Sequence, residues 1–374
     1  MARRCVDRIG NMARLARVEV FAADEIAVVH VMTRTVRRCF LLGDDALTGK
    51  NYDHRKQWID NQLVHQAKQF GIDLLCQAIM SNHIHLVLRS RPDVVKEWDN
   101  SEVARRWLML CPVRRDEHRE PEEPTEFELN NIRNDKEKLA VMRSRLSDIS
   151  WWMRLLSQNI AQRANKEDQE IGKFWQARYR AVRLLDETAI LACAAYVDLN
   201  PIRAALAETL EQSDFTSAQK RIQDVQGRLT ANRSSEKSSD EVAVAVPASR
   251  SARHLAPVDL KERSGETGPC VHKRGQRCSN KGFLPMSAAD YLNLLDWTAR
   301  QVRSGKRGAT PQHLAPVFDR LGVSSDIWCH LVKNFGKLFS IVAGQPNQID
   351  GHRSRTGTHK YRARRAVREL LSSV

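Results

Sequence analysis

Short alternating runs and helically spaced runs follow one another along the first half of this chain. Ile26 to Arg34 (IAVVHVMTR) is rich in β-branched residues and reads as a strand. Tyr52 to Phe70 carries apolar residues at helical spacing, and Gly71 closes that helix. Ile72 to Met80 (IDLLCQAIM) reads as a second strand. A short Ser81-Asn82 connection then leads into a third, HIHLVL, beginning at His83. Successive strand side chains point to opposite faces, so Ile84, Leu86 and Leu88 face one way while His83 and His85 face the other. The order β-α-β-β is the first part of a ferredoxin-like β-α-β-β-α-β sandwich. Helical spacing returns from Leu146 to Lys166, where Trp151, Trp152, Leu155, Leu156 and Ile160 read as core. Phe174 to Leu185 alternates as a fourth strand. Asp186 then opens an Ala- and Leu-rich helix running to Tyr196. The fold class predicted is α+β.

Three stretches lack such patterning. Residues 92–145, with REPEEPTEFE at their centre, read as a charged insertion forming a surface excursion or partly disordered. Residues 216–282 are rich in Ser, Arg, Lys and Glu and read as a disordered linker. The last 29 residues (346–374) form a basic tail, whose part from His352 to Arg368 holds seven Lys/Arg and no acid. Between linker and tail, residues 283–345 predict a small helical domain, with helices at Ser287–Arg303, Pro311–Leu321 and about Ser325–Phe339. The chain thus divides into a first domain at about 15–215 and an accessory half, expected to add affinity for DNA without performing chemistry.

The formal charge is +15, from 60 Lys+Arg against 45 Asp+Glu, which favours a polyanionic partner. No apolar run reaches the roughly 18 residues of a membrane span. The amino terminus has no clear apolar h-region, so a cytosolic, nucleoid-associated protein without a membrane partner is expected. The eight cysteines are scattered without a CxxC pair. Cys270, His272 and Cys278 share a basic loop, but their spacing fits no standard zinc motif.

Candidate chemistry lies at two places. Two parallel imidazoles on one strand face, His83 and His85, form half of a metal site. About 110 residues later, Tyr196 and Asn200 are four apart and share a face if the helix extends that far, although Pro201 disfavours helical geometry at Asn200. Each feature alone also fits a bland reading: half-exposed histidines on a sheet, and a packed tyrosine with an asparagine cap. Their combination is what is specific.

The motifs HVMTR (30–34), MSNHIHLVL (80–88), FWQARYRA (174–181) and YVDLNPIRA (196–204) resemble, in the same order, those of the single-tyrosine HUH transposases. Within that group they are most similar to the REP-associated tyrosine transposases of bacteria and related small insertion-sequence transposases. The long insertion and the second half depart from a compact member. The resemblance implies Tyr196 as the nucleophile, with His83, His85 and the Asn200 carbonyl oxygen holding a divalent cation, Mg2+ or Mn2+. It implies single-stranded or hairpin DNA as the partner, cleaved and rejoined through a 5′-phosphotyrosine. A free tyrosine, with a pKa near 10, is a poor nucleophile at neutral pH, so the cation's help at the phosphate makes chemical sense. Tyr179, in the Arg178-Tyr179-Arg180 strand, competes for the nucleophile role, but the family motif selects Tyr196. Arg34, Arg178, Arg180 and Arg203 are candidate phosphate contacts. A metal-dependent nuclease using activated water and a non-catalytic DNA-binding relative are the competing functions. A monomer and a homodimer are both open, with Tyr196 acting beside its own histidines or a partner's.

Overall fold

Strand alternation sorts the sheet's apolar side chains into two cores, one on each face. The computed structural model describes residues 20, 24–45, 48–235, 252–260, 276–304 and 315–371. Its main strands are β1 (Val28–Arg34), β4 (Ile72–Ile79), β5 (His83–Ser90), β6 (Arg180–Leu184) and β7 (Val342–Ala343); β2 (Asp44–Asp45) and β3 (Lys50–Asn51) form a separate small hairpin. The sheet order is β4-β5-β1-β6-β7, antiparallel throughout except for the parallel β6-β7 pair. The first four of these strands reproduce the ferredoxin-like arrangement within an α+β fold.

One face carries Val29, Val31, Ile84, Leu86 and Leu88, covered by helix α1 (His54–Gln69) and helix α6 (Ile149–Asp168) through Ile59, Leu63, Trp152, Leu156 and Ile160. A register shift between Leu74 and Cys76 swaps the faces of β4 midway, so that Leu74 joins this core while Cys76 and Ala78 join the other. The opposite face holds Val87 and Val182. Helix α7 (Glu187–Asp198) lies there, capped by Asp186, whose carboxylate accepts from the Ala189 N–H at 2.8 Å. The fourth strand is shorter than its alternation predicts: residues 174–179 approach β1 as a loop, and only Arg180–Leu184 pair as a ladder.

The charged insertion proves to be helical and packed. Helices α2 (Pro92–Glu97), α3 (Asn100–Leu110), α4 (Glu126–Arg133) and α5 (Lys136–Leu146) bury Trp98, Val103, Trp107, Ile132 and Leu139 in the first core. Their apolar residues are few per turn, which hides them beneath the charge, although Thr125 and Glu128 form a capping box that the T-x-x-E spacing could have revealed.

The expected linker also carries structure. After the short helix α8 (Asn200–Arg203), helix α9 (Ser217–Ser235) begins where Ser217 and Ala218 bond Asp198. Leu255, Ala256, Val258, Cys278 and Leu284 are buried. Asp73 accepts from Arg89, Arg91 and Ser279, and Arg89 also donates to the carbonyls of Lys281 and Gly282, fixing residues 279–282 to the sheet edge. Gly282 is required there, because a Cβ would lie 1.9 Å from the Asp259 carbonyl oxygen. Cys270 and His272 lie outside the described residues.

Helices α10 (Ala288–Ser304), α11 (Ala315–Leu321) and α12 (Ser325–Leu338) share the second core with α7 through Tyr291, Leu294, Trp328, Leu331 and Phe335. The expected basic tail forms helices α13 (Pro346–Thr356) and α14 (Arg365–Leu371), burying His352, Tyr361 and Val367. Basic residues there occupy the outer faces of real helices, so a count of charge alone misreads them as a tail. No helix among the described residues is long and apolar enough to cross a membrane.

Candidate active site

The antiparallel register places the histidines. His85 pairs across to Met32 on β1 and to Ala78 on β4, while His83 pairs with Arg34. His30, opposite Val87, is thereby a diagonal neighbour of His85 on the same face. The two rings stack at 5.1 Å, with His30 Nε2 and His85 Nδ1 2.9 Å apart. The His83 and His85 rings meet edge-on at 4.9 Å.

Burial, reinforced by cationic neighbours, keeps all three rings neutral near pH 7. His30 is pushed down to about 3 by burial and then by Arg180; His83 to about 4 by burial and then by Arg34. His85 is held well below its ordinary value by burial, followed by His30 and His83.

Tautomers follow from the hydrogen bonds. Asn82 donates its amide N–H to the Arg38 carbonyl at 3.1 Å, so its Oδ1 is the acceptor for His83 Nδ1–H at 2.6 Å. That leaves Nε2 of His83 as the lone-pair nitrogen. If His85 Nδ1–H donates to His30, the same holds for His85. Neutral imidazoles with the second nitrogen engaged as a donor are the form in which histidines bind metals. A divalent cation therefore fits the pair, with His30 and Asn82 as orienting partners. Among the described residues no group of three or more His, Cys, Asp and Glu could hold a metal, so any further protein ligand would have to come from another residue type.

Asn200 does not share an unbroken helix with Tyr196. Helix α7 ends at Asp198, Leu199 turns at φ −88° and ψ 5°, and Asn200 opens a separate short helix, α8, with Pro201 in its first turn, where the missing N–H costs nothing. Its side chain is buried, and its amide nitrogen has no hydrogen-bond partner, so no bond from that atom holds the amide in place.

Tyr196 is half-buried on α7 against its own chain's histidines. Its ring meets His85 edge-on at 5.5 Å and His30 at 6.0 Å, with Phe335 of α12 tilted against it at 5.6 Å. The Arg203 guanidinium sits over the ring at 4.4 Å and donates to the Lys333 carbonyl at 2.9 Å. A Cβ at Gly336 would lie 3.0 Å from the Tyr196 hydroxyl. A cavity of about 230 Å3 opens beside Tyr196 and His85, lined by Arg34, Arg180, Arg203, Lys333 and Lys337 and, among the described residues, by no carboxylate. None of these five cations is ion-paired among the described residues. Unscreened like charges around a concavity focus a positive potential suited to an anion.

Of the residues singled out from sequence, His83, His85, Tyr196, Arg34, Arg180 and Arg203 come together. Arg178 lines a different cavity. Tyr179 is buried just before β6, donating its hydroxyl to Ser150 at 3.1 Å, so it is held in the wall of the fold. His30 was missed, although its place in the strand put it on the histidine face once β1 and β5 pair. Lys333, Phe335, Gly336 and Lys337 had no local signal at all, since only tertiary packing brings α12 there.

No family model matches this chain, and no curated protein does. Among solved structures it is similar to that of a REP-associated tyrosine transposase bound to a REP hairpin, at 9% identity and a TM-score of 0.31, over 52% of this chain and 79% of that one.

Proposed function

We propose that this protein is a DNA strand transferase, a transposase that cleaves and rejoins single-stranded DNA through Tyr196. The observation that carries the reading is a tyrosine packed against the neutral rings of His85 and His30, opening into a cavity lined, among the described residues, by five cations in no ion pair and by no acid. That arrangement matches a nucleophile awaiting a phosphodiester. Tyr196 Oη bonds to phosphorus and loses its proton. The bond from phosphorus to the 3′-oxygen breaks, and that oxygen leaves as a protonated 3′-hydroxyl. The product is a 5′-phosphotyrosine that retains the phosphoester for a second strand end.

Arg34, Arg180 and Arg203 bind the non-bridging oxygens and orient the phosphate for attack. Arg203 and Phe335 hold the tyrosine ring from two sides. His83 and His85 would hold a divalent cation, Mg2+ or Mn2+, with the Asn200 side-chain carbonyl oxygen as a third ligand. When bound, the cation polarises the scissile phosphate. Tyr196 lies beside the histidines of its own chain, which supports cleavage within one protomer.

Incubation with hairpin-flanked single-stranded DNA and Mn2+ should yield a protein–DNA adduct that survives denaturing gels. Tyr196→Phe should abolish it, and so should His83→Ala, His85→Ala or excess chelator. Cleavage without any adduct would replace this reading with a nuclease that activates water.

A further inference from the structure

A second cavity, of about 630 Å3, lies between α6 and the loop 172–179, apart from Tyr196. We infer that it is a subsite for an unpaired nucleobase of the DNA strand, stacked on Trp175 with flanking phosphates held by Arg154, Lys173 and Arg178. This inference rests on DNA being the partner. Its volume falls within the roughly 300–1,000 Å3 of small-ligand pockets.

Two features separate this cavity from ordinary surface relief. Among the described residues its walls combine Trp151, Trp175 and Tyr179 with the three cations and include no carboxylate. Aromatic rings with cations alongside are the elements by which proteins hold single strands. Moreover, Arg154, Lys173 and Arg178 are exposed and make no ion pair among the described residues. Elsewhere on the same side of the fold arginines are neutralised: Arg105 by Glu123, Arg106 by Glu102, Arg133 by Glu126.

The pocket is built rather than incidental. Trp175 is half-buried, and its Nε1–H donates to the Ser157 carbonyl at 2.8 Å, which fixes the ring in place. The Arg154 guanidinium lies 4.5 Å from the centre of the Trp151 ring, a cation held over an aromatic face. Ile171, fully exposed, and Gly172 adjoin the rim beside Lys173.

Its position relative to Tyr196 is what a strand path requires. Residues 174–180 run along the end of β1: Trp175 bridges Thr35, and the Gln176 N–H donates to the Arg34 carbonyl at 2.8 Å. Arg34 lines the Tyr196 cavity, as does Arg180, whereas Arg178 lines this one. One short segment therefore forms a wall of both, and a strand whose phosphate sits at Tyr196 can place a neighbouring base against Trp175.

The test is direct binding by the full chain carrying Tyr196→Phe, so that chemistry does not intervene. The probe is a fluorescein-labelled DNA single strand of mixed sequence, compared with the same sequence as duplex. Trp175→Ala should weaken single-strand binding about ten-fold. Trp175→Phe should restore most of it, and duplex binding should be unchanged. With abasic sites introduced one position at a time, the wild-type ring should reveal one position with a penalty that disappears in Trp175→Ala. Arg154→Glu, at an exposed side chain, should weaken single-strand binding even if Trp175→Ala fails to fold. Unchanged affinity in Arg154→Glu and Trp175→Phe,Arg154→Glu, or equal losses for duplex and single strand, would overturn the subsite. Failure of the transferase reading looks different: Trp175-dependent binding would persist while Tyr196 formed no adduct.

Discussion

Gly336 is the residue whose identity is hardest to explain by stability alone. It lies inside helix α12, where glycine costs about 0.5–1 kcal/mol relative to alanine. A side chain there would instead crowd the Tyr196 hydroxyl at 3.0 Å. Gly336→Ala is therefore expected to raise the urea midpoint slightly while slowing adduct formation, with DNA affinity little changed. Loss of stability together with activity would show that the glycine serves packing instead. His30 is a similar case of one side chain acting through another. Buried beside His85 Nδ1, it can orient that ring and fix its tautomer. His30→Ala is expected to weaken Mn2+ binding by about 10- to 100-fold, as removal of an orienting partner typically does. Calorimetric titration with Mn2+ alone measures this without DNA, and an unchanged affinity would remove His30 from the metal site.

Among elements, α12 has great consequence for the site, and although the helix was legible in sequence, its place beside Tyr196 was not. Its apolar face was legible, and the helix expected at about Ser325–Phe339 forms at Ser325–Leu338 under a Ser324 cap. Nothing local indicated that Lys333 and Lys337 would border the cavity of a tyrosine more than 130 residues earlier, because that depends on how two helices cross. The β-strands were more readable, since alternation fixes which side chains share a face. His83 and His85 were placed together for that reason, whereas the Tyr196–Asn200 pairing rested on a helix that ends at Asp198. The insertion helices were hidden because each buries only a few residues. If α12 contributes phosphate contacts, Lys333→Ala and Lys337→Ala should each reduce the salt dependence of single-strand binding by roughly 0.7 in the log–log slope. An unaltered slope in the double variant would assign both lysines to plain surface charge.

At the scale of the whole molecule, the two halves of the chain share a core, and this bears on which part can act alone. Asp198, two residues after Tyr196, is fully buried and accepts from Ser217 Oγ at 2.5 Å, the Ala218 N–H at 3.0 Å and the Tyr291 hydroxyl at 2.7 Å. All three donors lie beyond residue 212. So do Leu284, Leu294, Trp328, Leu331 and Phe335, which pack with α7 in the second core. Each large apolar side chain taken from such a core forfeits about 1.5–3 kcal/mol of burial. The total stability of a domain is only about 5–15 kcal/mol. Losing those five side chains forfeits about 7.5–15 kcal/mol of burial, as large as that whole margin, and Asp198 loses all three donors with them. A chain ending near Gln212 is therefore expected to lack a cooperative melting transition and to form no tyrosine adduct. The expectation of a dispensable accessory half predicts the opposite, a folded fragment that still forms the tyrosine adduct but binds DNA more weakly and with a shallower salt slope. Circular dichroism melts and the adduct assay on the same truncated protein separate the two. Tyr291→Phe in the full chain isolates the polar part of the coupling: it should cost about 1–3 kcal/mol in urea unfolding, because one acceptor position of a buried carboxylate loses its donor. A truncated chain that melts cooperatively and still attacks DNA would show that α7 holds Tyr196 in place without the helices packed against it.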